Sequence, residues 1–216
     1  MKRETDPADV GAGRFYRLLT AVVVPRPIAW VSTRSAAGVD NLAPHSFFTV
    51  SCVDPPIVQF TSVGRKDTLR NVEETGEFVV CLAPEPLAAE VNATATDFPA
   101  AVSEFDAVGL RREPSACVAP PRVADSPVAL ECRLDRVLEL GDSWIVLGRV
   151  VRAAVDDAVL DGDHPAVDRL RPLARLGRDE WSELGAVRSL RRVDYSDRAT
   201  HPRARAVMPP ERRTPG

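Results

Sequence analysis

The chain has 216 residues, 44% of them hydrophobic and 27% charged, with a formal net charge of −3; these are proportions of a globular protein large enough to bury a sizeable core. So slight a charge gives no nucleic-acid signal, and no apolar run approaches the roughly 20 residues a membrane helix needs. The N-terminal residues, MKRETDPADVGAGRF, contain no apolar stretch of the secretory type, so the expected location is cytoplasmic.

Residues 1–13 read as a flexible N-terminus. Gly11-Ala12-Gly13 lacks the third glycine and the preceding strand of a dinucleotide fingerprint. Phe15 to Leu19 reads as a short helix or turn packing Phe15, Leu18 and Leu19 inward, and Ala21 to Val24 as a short β-prone run. Pro25 and Pro27 cannot donate to a sheet ladder, which puts Arg26 at an edge or bend. Ile28 to Thr33 is the first clear strand, and Gly38 turns the chain. A second strand spans Leu42 to Ser51, with Pro44 marking an edge or bulge. A third spans Ile57 to Val63, with Val58, Phe60 and Ser62 on one face and Ile57, Gln59, Thr61 and Val63 on the other. Asp67 to Glu74 reads as a helix capped by Asp67 and ended by Gly76. Glu77 to Ala83 is the fourth strand.

Residues 87–110 are alanine-rich and acidic and predict a helical excursion. Pro114, Pro120, Pro121 and Pro127 define a loop or extended connection. Val128 to Leu140 alternates, with Val128, Leu130, Cys132 and Leu134 on one face and Glu131, Arg133 and Asp135 on the other. Gly141-Asp142 then turns the chain into a partner strand, Trp144 to Val155. Asp156 to Asp168 reads as a solvated loop. Pro172 to Arg178, Trp181 to Leu184 and Val187 to Val193 are short pieces placed to close the sheet. One main domain is therefore expected over residues 14–193, followed by a polar Arg- and Pro-rich tail over 194–216.

Residues with conspicuous chemistry are few. The four cysteines, Cys52, Cys81, Cys117 and Cys132, form no CxxC pair and read as reduced structural thiols. His45, His164 and His201 show no zinc spacing, so no metal is expected. Arg65 and Lys66 stand beside the first turn of a helix, where free N–H groups and the helix dipole favour an anion, and Thr68 adds a hydroxyl. Taken alone, that tetrapeptide fits an ordinary surface helix better than a phosphate site. His45 alone fits a packed residue better than a catalyst, and Trp30 fits core better than a ligand stack.

Order and spacing carry more than any single piece. The string PRPIAWVST, NLAPHSFF, DPP and RKDT, followed by FDAVGL, PPRVADSPVALEC, LGRVV and PLARLG, resembles the flavin reductase-like family of FMN-binding split barrels over roughly residues 14 to 192. The resemblance implies a mainly β fold with α excursions, built on a six-stranded Greek-key barrel, and a homodimer with FMN at its interface. Carried onto this chain, the segment Asn41, Leu42, Ala43, Pro44, His45 and Ser46 would flank the isoalloxazine. Ser62, Arg65, Lys66 and Thr68 would hold the phosphate, with Asp67 kept to capping because two anions repel. Ser32 and Thr33 are expected near the ribityl chain, and Arg175 near the flavin from the C-terminal side. Where many relatives have a histidine after the LGxVV strand, this chain has Ala153 and Ala154. Where they have a tyrosine after RLGG, it has Arg178 and then Trp181. Both departures point to a different substrate or poorer flavin reduction.

The resemblance further implies an oxidoreductase using NADH or NADPH as electron donor, with the flavin carrying the hydride. No catalytic side chain is assigned beyond the weak candidate His45. Three activities fit: a flavin reductase supplying a partner flavin-dependent monooxygenase, an FMN-bound oxidoreductase acting directly on a small organic substrate, and a non-enzymatic FMN electron carrier.

Overall fold

A computed structural model describes residues 1–192. Met1–Leu184 forms one compact unit. Residues 185–192 carry no helix or strand. The expected strand at Val187 to Val193 is therefore absent through residue 192. The tail over 194–216 and His201 lie outside the described residues.

Seven strands make the main sheet: β1 (Ala29–Arg34), β2 (Asp40–His45), β3 (Phe48–Cys52), β4 (Ile57–Val63), β5 (Glu77–Leu82), β6 (Val128–Leu140) and β7 (Ser143–Val155). Their order is β2-β1-β5-β6-β7-β4-β3, every pairing antiparallel. The second strand expected from the sequence is thus two strands at opposite ends of the sheet. Only Ser46 and Phe47 join them, three Cα steps of about 3.8 Å each, so the sheet must curl until its ends meet. The Thr61 N–H donates to the Phe47 carbonyl at 2.9 Å, and His45 Nδ1 lies 3.3 Å from the Thr61 carbonyl. Counted as one bent strand, β2 and β3 with the other five give the six strands expected. Pro44 sits on the end strand β2, where a missing donor costs the sheet least.

The apolar run of β1 is buried on both faces, so neither period 2 nor amphipathic alternation appears in it. Ala29 and Val31 face an inner cluster with Val58, Phe60, Phe78, Val80, Cys132 and Val146. Trp30 faces a second cluster with Leu42, Val79, Cys81, Val91 and Phe105, its indole N–H donating to Thr94 Oγ1 at 2.9 Å. Helix α3 (Asp67–Thr75) sends Leu69 and Val72 into the inner cluster and ends at Gly76, whose φ of 72° is the left-handed stop that glycine allows. The excursion after β5 supplies α4 (Ala88–Ala93) and α5 (Glu104–Val108), which cover the outer cluster with Val91 and Phe105. Both helices fall inside the expected segment.

Several local expectations give way to tertiary structure. At the N-terminus, α1 (Pro7–Val10) and the longer α2 (Ala12–Val22) are helical, and Ala21 and Val22 belong to α2 rather than to a strand. Leu18 and Leu19 are exposed, and only Phe15 of the expected trio is half-buried. Arg26 secures the end of this helix. Its guanidinium donates to the Thr20, Val23 and Leu176 carbonyls, and the residue is buried. The C-terminal pieces do not close the main sheet. Ala174–Arg175 and Trp181–Ser182 instead form a separate three-stranded sheet with Arg26–Pro27. Glu131, expected on the solvent face of β6, is fully buried. It accepts the Ala116 and Cys117 N–H groups and pairs with Arg122 at 2.5 Å, which holds the proline-rich connection against the sheet. The four cysteines are free, and burial pushes the Cys81 and Cys132 thiols up to about 12. Among the described residues no helix is long and apolar enough to cross a membrane.

Candidate functional site

A cavity of about 440 Å³ opens where the two ends of the sheet meet, a size suited to one small-molecule ligand. Its floor is the contiguous run Ala43 to Phe47 together with Asn41, and Thr61, Ser62 and Val63 from the end of β4. Lys66, Asp67 and Thr68 bring in the start of α3. Thr94 to Phe98, the loop after α4, forms one wall with Glu104, and Tyr16 closes another side.

Of the residues expected at a ligand, Asn41, Ala43, Pro44, His45, Ser46, Ser62, Lys66 and Thr68 line this cavity. The structure does not bring the rest there. Ser32 and Thr33 are fully buried, with Thr33 Oγ1 accepting from Asn71 Nδ2 at 3.1 Å. Leu42 points into the outer core cluster. Arg65 turns outward to Glu73 and lies 5.5 Å from the Trp144 ring centre. Arg175 stacks on Trp181 at 4.8 Å and donates to the Arg178 carbonyl. Asp67 departs from its expected role as well. Lys66 occupies the N-cap position, while Asp67 stands in the first turn, pairs with Arg70, and lines the cavity.

The polar groups are arranged with little slack. Asn41 Nδ2 donates to Thr68 Oγ1 at 3.1 Å, joining β2 to the start of α3. Ser62 Oγ donates to the Gly64 carbonyl at 2.9 Å, shaping the turn before that helix. Lys66 reaches across to Asp97 at 2.9 Å, and both partners are largely exposed. His45 packs against Phe60 with ring centres 4.7 Å apart. Burial lowers its pKa to about 4, so the imidazole is neutral at ordinary pH. A carbonyl only accepts, so Nδ1 carries the proton and donates to Thr61. Nε2 is then a bare acceptor, buried and without a partner among the described residues. Glu104 is 6% exposed, and burial raises its pKa.

Tyr16, Thr94 to Phe98 and Glu104 escape sequence reasoning, because they reach the cavity from segments far from the central run. The available signal is a single aromatic residue, Phe98, within the small and polar stretch 94–97. Among the described residues no cluster of three or more histidine, cysteine or acidic side chains has metal-binding geometry. The cavity offers donors, one cation, a bare acceptor and aromatic walls. Among the described residues it presents no cysteine, and no hydroxyl paired with a histidine that could act as an activated nucleophile.

Comparison with known proteins bears on the chain as a whole. The family model described as "Flavin reductase like domain" matches residues 21–174. A protein of Halalkalibacterium halodurans without an assigned role is 38% identical over 203 residues, covering 88% of this chain and 97% of the relative. Among solved structures, nitrilotriacetate monooxygenase component B from Bacillus cereus is similar at a TM-score of 0.85 and 32% identity, covering 88% of this chain and 99% of that one. The 2-nitrobenzoate 2-nitroreductase of Pseudomonas fluorescens is similar at 0.83 and 30%, covering 89% and 98%.

Proposed function

Since this chain belongs to the flavin reductase-like family, we propose that it is an FMN-dependent oxidoreductase that takes electrons from NADH or NADPH and supplies reduced flavin to a partner oxygenase. The observation that carries this reading is the cavity itself, where a neutral histidine, an asparagine and a lysine at a helix start converge on one ligand-sized space. When bound, FMN supplies the hydride chemistry that no side chain here has.

The residues present fit such a ligand. Lys66, Thr68 and the free N–H groups at the start of α3 would hold the phosphate. The 41–46 edge would meet the polar rim of the ring system, with the bare Nε2 of His45 available to a ring donor. Tyr16, Phe47 and Phe98 would keep water from the face of the ring. Asn41 and Thr68, tied to each other, fix the distance between the ring-binding and phosphate-binding parts. Hydride delivery needs no protein acid or base, so orientation and exclusion of water are the chain's contribution. Assembly as a homodimer is part of the same reading. The exposed Leu18, Leu19, Val22, Val23 and Val24 at the end of the second N-terminal helix supply apolar surface for it.

A second reading is direct reduction of a bound organic molecule, favoured by the likeness to a protein titled a nitroreductase. Visible spectra of the purified protein with added FMN, recorded before and after anaerobic NADH and then NADPH, test both. Rapid bleaching followed by passage of the flavin through a filter supports the reductase. Bleaching with flavin retained, and reoxidation by a nitroaromatic acid, supports the second reading. Failure to bind FMN refutes both.

A further inference from the structure

We propose that Glu104 is a positioning residue of this site: its buried carboxylate anchors the cavity-facing edge of β2, and the negative charge it holds there makes anionic-ligand binding tighten as pH falls. The inference rests on the flavin reading above and adds to it a residue and a regulation of the same cavity.

The anchor follows from topology. β2 ends the sheet order, so one side of its backbone has no strand to pair with. Leu42 lies between Asn41 and Ala43, both in the cavity wall, and its N–H faces that open side. Glu104 Oε2 accepts it at 2.9 Å. The next residue, Phe105, is fully buried in the same cluster as Leu42. The α4–α5 excursion therefore grips β2 at two adjacent points, one polar and one apolar.

Charge follows from the neighbours. Glu104 is buried and itself lines the cavity. Of the charges on the elements packed around it, Asp40 and Asp106 are both paired with Arg112, at 2.9 and 2.7 Å. Lys66 is paired with Asp97, and His45 is neutral. Burial, the largest influence, favours the neutral acid; the Leu42 N–H works against it by favouring the carboxylate, and Asp67 from α3 adds a like charge. A phosphate-bearing ligand brings more negative charge into the same space, so its binding draws a proton onto Glu104. The protonated acid keeps a carbonyl oxygen to accept the Leu42 N–H, so the anchor survives the loss of charge.

Two substitutions separate anchor from charge. E104Q keeps an acceptor of nearly the same shape without the charge, and E104A removes both. The FMN dissociation constant is read by flavin fluorescence from pH 5.5 to 8.5, and proton uptake by calorimetry in buffers of different ionisation enthalpy. The phosphate's own titration is common to all three proteins and cancels in the comparison. The gap between wild type and E104Q is expected to widen as pH rises, to about tenfold or more at the alkaline end, with E104Q the tighter. E104Q is expected to take up fewer protons than wild type, and E104A to bind more weakly than E104Q at every pH. Overlapping pH profiles and proton counts for wild type and E104Q, with FMN still bound, overturn this proposal and leave the flavin reading intact. Should E104A not fold, the wild type and E104Q pair decides alone. Absence of FMN binding by wild type and E104Q at every pH removes the flavin reading and this proposal with it.

Discussion

Lowering the pH from 7 to 5 is expected to cost the fold about 2 kcal/mol through His45 alone. The ordinary imidazole value of 6.5 falls to about 4 in the folded chain, chiefly because burial penalises the charged ring and secondarily because of nearby Lys66. The unfolded chain therefore binds the proton first as pH drops. Stability present above pH 6.5 is lost progressively toward pH 4. At pH 5 this proton binding shifts the folding equilibrium by a factor of about 30, which is about 2 kcal/mol. The comparison protein is H45N, whose amide can still donate to the Thr61 carbonyl but does not titrate. Urea unfolding followed by tryptophan fluorescence at both pH values measures the difference. Carboxylates titrate alike in both proteins and drop out. H45N should lose about 2 kcal/mol less than wild type between pH 7 and pH 5, whatever its stability at pH 7. Equal losses in the two proteins would refute the reasoning and show that His45 is protonated at its ordinary value in the folded state.

Other perturbations reach different parts of the molecule. E131A leaves Arg122 and two backbone N–H groups without their buried partner, and should cost on the order of 3–5 kcal/mol in a urea titration; a loss below about 1 kcal/mol would mean the clamp is not formed in solution. In G148A the new methyl group would lie 2.1 Å from Phe78 Cζ and 3.2 Å from Cys132 Cβ. Overpacking of about 1–3 kcal/mol should lower the melting temperature by several degrees, and an unchanged melting temperature would show that Phe78 moves freely. D97N releases Lys66 from an exposed pair, so stability should change by less than about 1 kcal/mol while FMN binding tightens by up to about fivefold. Weaker FMN binding in D97N would instead place Asp97 among the groups that hold the ligand.

The parts of this fold legible in the sequence are those fixed by near neighbours. The run Ile57 to Val63 alternates cleanly, and its burial follows the alternation residue by residue. The turn at Gly141-Asp142 places the long hairpin, and Gly76 ends α3 where a left-handed residue is needed. What escaped depends on partners far along the chain. Alternation assigned Glu131 to solvent, because nothing in β6 reveals that the 115–123 connection folds back over it. Val22, Val23 and Val24 read as β-prone, yet the helix before them runs through Val22 and is fastened by Arg26. At the site, the turns, edge proline and helix start of the 41–68 span are local, but read alone they fit an ordinary surface segment, and the family resemblance is what marked the span. Glu104 and the Thr94 to Phe98 wall come from the excursion, which the sequence marked as helical without saying where it docks.

The two-residue link Ser46-Phe47 joins the ends of the sheet and also forms part of the cavity floor. An insertion or deletion there would change how the two ends of the sheet approach each other as well as the shape of the pocket. The Ala95 to Phe98 loop and Tyr16 reach the pocket without pairing in the sheet, so changes there would alter what it accepts and leave strand pairing alone, whereas Thr94 is held to the core by the Trp30 indole.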